Sequence, residues 1–297
     1  MNGHAAQPLS SAELSLASEP PGRQRLGQIL VEAGRLLPSD IDRILAHARS
    51  HGMRFGQAGL ATGLLTADDL RYGLSVQFDY PYLGPDSPLA AELVAAHRPD
   101  GAQAEQWRAL RSQLSLRWLA LAPRPHALAV VSPDRSEGRS VSAANLAISF
   151  SQLGLRTLLI DADLRQPRQH ELFRLGAVAG LSDLLAGRAG GEVIAAISEL
   201  RGLSVLPAGT PAPNPLELLA RPAFDRLLDS LAQPFDLLVI DTPAAAHYAD
   251  AQTVAARCGA ALLMARQHSS SLPRLAQLRQ GLHEFGVNLV GTVLHEA

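Results

Sequence analysis

Six short apolar runs, at 127–132, 157–161, 203–207, 237–241, 260–265 and 288–294, alternate with helix-patterned segments through the C-terminal part of this chain. Runs rich in Val, Leu and Ile without polar alternation are strands buried on both faces, the mark of a parallel sheet with helices on each side. The pattern places the chain in the α/β class. It also directs attention to the carboxyl ends of the strands, where such sheets bind ligands.

The first run leads through Pro133-Asp134-Arg135-Ser136-Glu137-Gly138-Arg139-Ser140 into a predicted helix over 141–153, closed by Gly154. Strand, loop and helix in that order form the context of a phosphate-binding loop, where backbone N–H groups and the helix dipole attract anions. The expected nucleotide-binding residues are Ser136, Glu137, Gly138, Arg139, Ser140 and Val141. Arg139 stands where such loops carry lysine, and Ser136 stands where they carry glycine, an exchange that strains the backbone if φ is positive there. Alone, the loop reads equally well as an ordinary strand-to-helix turn. Two further elements shift that balance: the second run ends in Asp161-Ala162-Asp163 and the fourth in Asp241-Thr242-Pro243. Carboxylates at the ends of buried strands need a partner, and Mg²⁺ is the natural one, with the Ser140 hydroxyl, Asp161 and Asp241 as expected ligands. The competing reading makes both aspartates helix caps or turn formers.

Upstream the pattern differs. Residues 1–22 are rich in Ser, Ala and Pro and read as a flexible lead; 23–84 read as a small helical repeat domain, 85–104 as a linker, and 105–297 as the α/β domain. Within the repeat domain, residues 25–41 align with 54–70: each begins Arg–apolar–Gly–Gln, keeps a second glycine (Gly34, Gly63), and leads into a helix starting near Ser39 or Thr66. The composition, 47% hydrophobic and 18% charged, supports a packed core, and a net charge of −2 gives no global attraction to nucleic acid. Cys258, the single cysteine, reads as a buried structural thiol. No apolar run approaches the roughly 18 residues of a membrane span, and no secretion signal is evident, so the expected compartment is the cytoplasm.

Taken in order, these motifs resemble the bacterial tyrosine kinases of exopolysaccharide systems, in particular the chain-length-determinant group. Asp161-Ala162-Asp163-Leu164-Arg165 is similar to their second Walker motif and Asp241-Thr242-Pro243 to their Walker B. Residues 206–219 are similar to their Gly–Asn-Pro–Glu-Leu-Leu segment, and Glu105-Gln-Trp-Arg108-Ala-Leu-Arg111 to their ring-assembly helix. The resemblance implies a P-loop nucleotide-binding fold, shared with division-site ATPases, that binds ATP and Mg²⁺. Arg139 would contact the β- and γ-phosphates, Ser140 the metal, and Asp161 and Asp163 the metal and the attacking hydroxyl, making Arg139, Asp161 and Asp163 the catalytic set. Asp241 would hold a metal-bound water. Glu105, Arg108 and Arg111 would join neighbouring subunits of a homo-oligomer. The implied activator is a membrane-bound polysaccharide co-polymerase on a separate chain, holding the kinase at the inner face of the cytoplasmic membrane. The chain departs from the family in having no tyrosine after Tyr248. Two other readings stay open: a non-catalytic nucleotide-binding regulator of the same machinery, and a partitioning or division-site ATPase, whose signature lysine is replaced here by Asp134. The repeat domain resembles the N-terminal domain of type II secretion and pilus ATPases. That implies either a protein-docking module or a cyclic di-GMP site using Arg25, Gly27, Gly34, Arg54, Gly56, Gly63 and Gln77.

Overall fold

The computed structural model describes residues 25–78, 83–84, 86–121, 126–176 and 178–296, and divides into two units, Met1–Tyr80 and Pro81–Ala297. The expected lead at 1–22 lies outside the described residues.

The first unit is helical. Its helices are Leu26–Glu32 (α1), Pro38–His51 (α2), Phe55–Ala61 (α3) and Ala67–Gln77 (α4). The repeat is expressed as interlocked halves: α1 packs on α4, and α2 packs on α3. Leu30, Leu36, Ile44, Ala58 and Leu65 form the core. The two halves start alike, with the Arg25 N–H donating to Gln28 Oε1 at 3.3 Å and the Arg54 N–H to Gln57 Oε1 at 3.2 Å. They end alike, with Gly34 at φ 69° and Gly63 at φ 68°. Thr66 caps α4 as expected, its hydroxyl accepting from the Asp69 N–H at 3.1 Å. The first half differs: α2 begins at Pro38, in the first-turn position that needs no N–H donor, so Ser39 is inside the helix and not its cap. Arg35 ties the halves together, reaching Asp68 at 3.0 Å and Asp69 at 3.1 Å while lying over the Tyr72 ring.

The second unit is a seven-stranded sheet. Its strands are Ala127–Val131 (β1), Thr157–Asp161 (β2), Ala195–Ala196 (β3), Leu203–Leu206 (β4), Leu237–Asp241 (β5), Ala260–Arg266 (β6) and Asn288–His295 (β7), in the order β3-β4-β2-β5-β1-β6-β7. All pairings are parallel except that of the two-residue β3, too short to show as an apolar run. Every residue of β1, β2 and β5 is buried, because helices cover both faces. One face carries Val94–His97 (α5), Ala102–Leu114 (α6), Arg139–Ser151 (α7) and Gln169–Leu172 (α8). The other carries Leu181–Leu185 (α9), Pro215–Ala220 (α10), Pro222–Leu231 (α11), Asp250–Cys258 (α12) and Leu272–Glu284 (α13).

The linker expected at 85–104 is instead part of this unit where it is described. Leu89, Leu93, Ala95 and Ala96 are buried with α7. Asn145, fully buried, accepts from the Ala95 N–H at 2.9 Å and donates to the Glu92 carbonyl at 2.9 Å. The Gly and Pro residues of 84–88 signal a break in helical pattern, but the apolar residues beyond them dock on the sheet domain. Helix α6 stops at Leu114 and passes into a turn of π-helix at Ser115–Leu119. Helix α7 starts two residues before its predicted position.

Candidate functional site

Strand order builds the site. With β5 between β2 and β1, three carboxyl ends lie side by side: Asp161 closes β2, Asp241 closes β5, and β1 runs into the loop before α7. Asp161 and Asp241 are partners in register. The cleft above them has a volume of about 280 Å³ and is lined by Ser136, Glu137, Gly138, Arg139, Ser140 and Asp163, among others. Val141, also expected there, packs against the core instead.

The loop conformation follows from its residues. Gly138 has φ 70°, and a Cβ there would come 2.8 Å from His295 Nε2, so this position requires glycine. Ser136 has φ 58°, the left-handed region where a side chain costs about 1 kcal/mol. The loop is braced from the C-terminal part of the chain. Glu137, 1% exposed, accepts from the Asp134 N–H at 2.8 Å and from the Ser270 hydroxyl, and its carbonyl meets His295 Nε2 at 2.7 Å. Arg266 donates to the Ser136 carbonyl at 3.3 Å, and Arg274 pairs with Asp134. Nothing in the loop motif itself announces these braces, which lie more than a hundred positions away.

Arg139 is turned inward. Its Nε donates to the Thr242 carbonyl and its Nη1 to Ser132 Oγ at 2.6 Å, while Asp163 Oδ2 lies 3.5 Å and Asp241 Oδ1 3.8 Å from the guanidinium. One cation thus faces two carboxylates. Asp161 is engaged by backbone: Oδ1 accepts from the Asp163 N–H at 3.2 Å, and Oδ2 from the N–H groups of Arg168 at 3.1 Å and Gln169 at 2.9 Å. Burial, and then the charge of Asp241, push its carboxyl well above the usual range, outweighing those hydrogen bonds. Burial also raises Asp241, opposed by Arg139, the Gln169 amide and the Ser140 hydroxyl. Of the three aspartates, Asp163 is the one that lines the cleft.

Gln169 escaped the sequence reading. It is fully buried, and its Nε2 donates to Asp241 Oδ2 at 2.8 Å and to the Ser140 carbonyl at 3.0 Å. Only its distance in sequence from Asp161 could have marked it among the polar residues around it.

At the rim, Arg165 binds Asp250 through Nε at 3.1 Å and Nη2 at 3.2 Å and lies 3.9 Å over the Tyr248 ring, whose hydroxyl accepts from Arg135 at 3.5 Å. The 206–219 segment is locked by Asp183, whose Oδ2 accepts from the N–H groups of Gly180 at 3.1 Å and Thr210 at 2.9 Å. The expected assembly residues are engaged within the chain: Arg108 holds Glu105 at 2.6 Å and the Pro99 carbonyl, and Arg111 donates to the Ser149 carbonyl at 3.0 Å. Cys258 is half-buried, and burial pushes its thiol up to about 12.

No protein-family model matches the chain. It is 29% identical over 209 residues to the tyrosine-protein kinase YwqD of Bacillus subtilis, covering 70% of this chain and 87% of that protein. It is 32% identical over 205 residues to the tyrosine-protein kinase wzc of Salmonella typhimurium, covering 69% of this chain and 28% of that protein. The chain thus spans a third or less of several of its curated relatives, including the one from Ralstonia solanacearum. Among solved structures, the kinase domain of the Escherichia coli tyrosine kinase ETK superposes with a TM-score of 0.65 at 31% identity, over 69% of this chain and 80% of that one.

Proposed function

Because this chain belongs to the family of bacterial protein-tyrosine kinases, we propose that it binds Mg-ATP and transfers the γ-phosphoryl group to tyrosine side chains of a second protein in exopolysaccharide chain-length control, polymerisation or export. The observation that carries this reading is the convergence of Arg139, Ser140, Asp161, Asp163 and Asp241 at the carboxyl ends of three adjacent strands, with Arg139, Ser140 and Asp163 lining one cleft and Asp161 and Asp241 buried beneath it. Phosphates in the cleft would be bound by backbone N–H groups of the loop and of the first turn of α7, which line it. Asp163 stands in the cleft wall as the acceptor for the phenolic proton. The phenol oxygen then forms a bond to the γ-phosphorus, the bond from that phosphorus to the bridging oxygen breaks, and ADP leaves.

The residues present fit a divalent cation. Asp241 Oδ1 and Gln169 Oε1 are buried and receive no hydrogen bond. Mg²⁺ keeps several waters and shares phosphate oxygens, so one or two protein ligands suffice to hold it. Ser140 and Asp241 would hold it, with Asp161 shaping the loop around them. The cation would neutralise phosphate charge.

The test is transfer of labelled γ-phosphate from ATP to a tyrosine copolymer, together with calorimetric ATP binding. Wild type should do both, and a Ser140→Ala, Asp161→Ala double variant should do neither. Unchanged ATP affinity in that variant would sink the site assignment. Binding without transfer would favour the non-catalytic regulator, a reading supported by the self-contained bonding of Arg139.

No helix among the described residues is long and apolar enough to cross a membrane. The family resemblance supports a membrane-bound activator on a separate chain, which would hold the kinase, as a homo-oligomer, at the inner face of the cytoplasmic membrane. For the first unit, a cyclic di-GMP effector site remains the proposal. Its support is the matched, exposed Arg25 and Arg54 at the starts of α1 and α3. Gly27 and Gly56 have a packing role as well, since a Cβ at Gly27 would press on the Phe55 ring at 3.2 Å and one at Gly56 on Leu70 at 2.7 Å. Loss of cyclic di-GMP binding in Arg25→Ala and Arg54→Ala, measured on the full chain, would support the site. Binding that ignores both substitutions would end it.

A further inference from the structure

One residue touches all three residues of the proposed cation side, through its backbone and its side chain. The Gln169 N–H donates to Asp161 Oδ2 at 2.9 Å, and its side-chain Nε2 donates both to Asp241 Oδ2 at 2.8 Å and to the Ser140 carbonyl at 3.0 Å. Those three groups come from β2, β5 and the first turn of α7. Gln169 opens α8 and joins all three through hydrogen bonds rather than through strand pairing or charge.

The geometry of Asp241 explains what this link does. A carboxylate at the end of a strand can rotate, and with Arg139 Nε 3.8 Å away it has a competing direction to face. The amide of Gln169 holds Oδ2, so Oδ1 is the oxygen left without a donor. The same amide leaves its own Oε1 buried and without a donor. An amide whose nitrogen serves two acceptors while its oxygen serves none is half satisfied, and a buried unsatisfied acceptor costs about 1–3 kcal/mol. Such an atom is retained where something supplies the donor in another state of the protein. Two acceptors without a hydrogen bond, Asp241 Oδ1, which Arg139 Nε approaches only to 3.8 Å, and Gln169 Oε1, would be matched by the water hydrogens of a hydrated divalent cation.

We propose that Gln169 is the positioning residue for the cation: it turns Asp241 so that Oδ1 faces the site, ties that carboxylate to Ser140, and offers Oε1 to the cation's hydration shell. The inference rests on the Mg-nucleotide reading and assigns a residue that the motifs of the loop and the strand ends leave out. It does not require Gln169 to touch nucleotide or the acceptor tyrosine.

The experiment is calorimetric ADP binding to the full chain, with Mg²⁺ and with the metal chelated, for wild type, Gln169→Met and Gln169→Asn. Methionine keeps the volume and removes both polar atoms. Asparagine keeps the amide but is one methylene too short to span Asp241 and Ser140. Outer-shell partners of a metal are typically worth 10–100-fold in metal affinity, so both variants should lose about tenfold or more of the Mg²⁺-dependent gain. Their metal-free ADP affinity should stay within about twofold of wild type. Mn²⁺ titration of the ADP complex, followed by electron paramagnetic resonance, should show the same weakening without recourse to turnover. If either folded variant keeps the full Mg²⁺ gain, the inference is overturned. Equal loss with and without metal, accompanied by a lowered thermal midpoint, also overturns it, because Gln169 would then be a packing residue. A wild-type protein whose ADP affinity ignores Mg²⁺ overturns the Mg-nucleotide reading and this inference together, whereas a wild-type gain that survives in both variants overturns this inference alone.

Discussion

Asp161 and Asp241 are register partners at the ends of adjacent parallel strands, both fully buried, and Arg139 is the cation that approaches Asp241 there. Two carboxyls in that relation disfavour each other's ionisation, and burial disfavours both. The arrangement stores unfavourable electrostatics in the ligand-free protein, to be relieved when positive charge arrives.

The pH dependence follows. Folding raises both carboxyls above the ordinary aspartate value of 3.8, so the stability they contribute is fully present below that value. It is lost as pH rises through their folded values, because the unfolded chain ionises first. Asp241→Asn keeps an acceptor for Gln169 and removes one charge. In urea denaturation of the nucleotide- and metal-free protein at neutral pH, this variant should be the more stable, by about 1–2 kcal/mol. The gap should close toward pH 4. A less stable Asp241→Asn across the whole range would refute the account.

Arg139 has a testable competition built into it. Its guanidinium is held by Thr242 and Ser132, and phosphates must draw it away. Lysine presents a compact charge with fewer directional ties. Arg139→Lys should therefore bind ADP at least as tightly as wild type, and up to about tenfold tighter by calorimetry. A tenfold weakening would show that the forked guanidinium itself is needed.

Asp183 gives the opposite acid response. Burial pushes its carboxyl up, but hydrogen bonds from Thr210, Gly180 and Arg188 prevail and hold it at about 2. Its stabilisation is present above the ordinary value of 3.8 and is lost as pH falls through 2. Asp183→Ala leaves buried N–H groups of Gly180 and Thr210 without acceptors, at a cost of about 2–4 kcal/mol near neutral pH. Denaturation midpoints at pH 7 and pH 2 should show the variant's deficit shrinking in acid.

Phosphorylation should fall on another chain. Tyr248 is the one tyrosine of the sheet unit among the described residues, and its ring is covered by Arg165, itself clamped to Asp250. After incubation of the isolated protein with Mg-ATP, peptide mass spectrometry should find little phosphotyrosine, while an added tyrosine copolymer becomes labelled. Rapid, heavy modification of the isolated protein would contradict this.

The sheet was legible because β1, β2 and β5 are buried on both faces, and such strands leave continuous apolar runs, in β2 and β5 ending in aspartates. The loop was legible from Gly138 and Ser140 following β1. What stayed hidden depends on tertiary proximity. Gln169 acts through partners on three elements, and His295 and Ser270 brace Glu137 from the far end of the chain. Local pattern has no access to such pairings. The segment before α6 misled for a related reason: a proline- and glycine-rich stretch marks where helix ends, and says nothing of whether the residues beyond it dock.

The placement of β5 between β1 and β2 also governs how this protein can be born. Emerging from a ribosome, β1 and β2 have no hydrogen-bonding edge in common, and each awaits a strand made much later. Arg139 meets Thr242 across 103 positions of sequence, and Gln169 meets Asp241 across 72. With so much of its organisation resting on distant partners, the sheet cannot form piecemeal, and folding of such topologies is slow. Until β5 is synthesised, two apolar strands stand with open edges, the condition that invites aggregation and chaperone capture. The same insertion that assembles the site therefore delays it until most of the chain has been made.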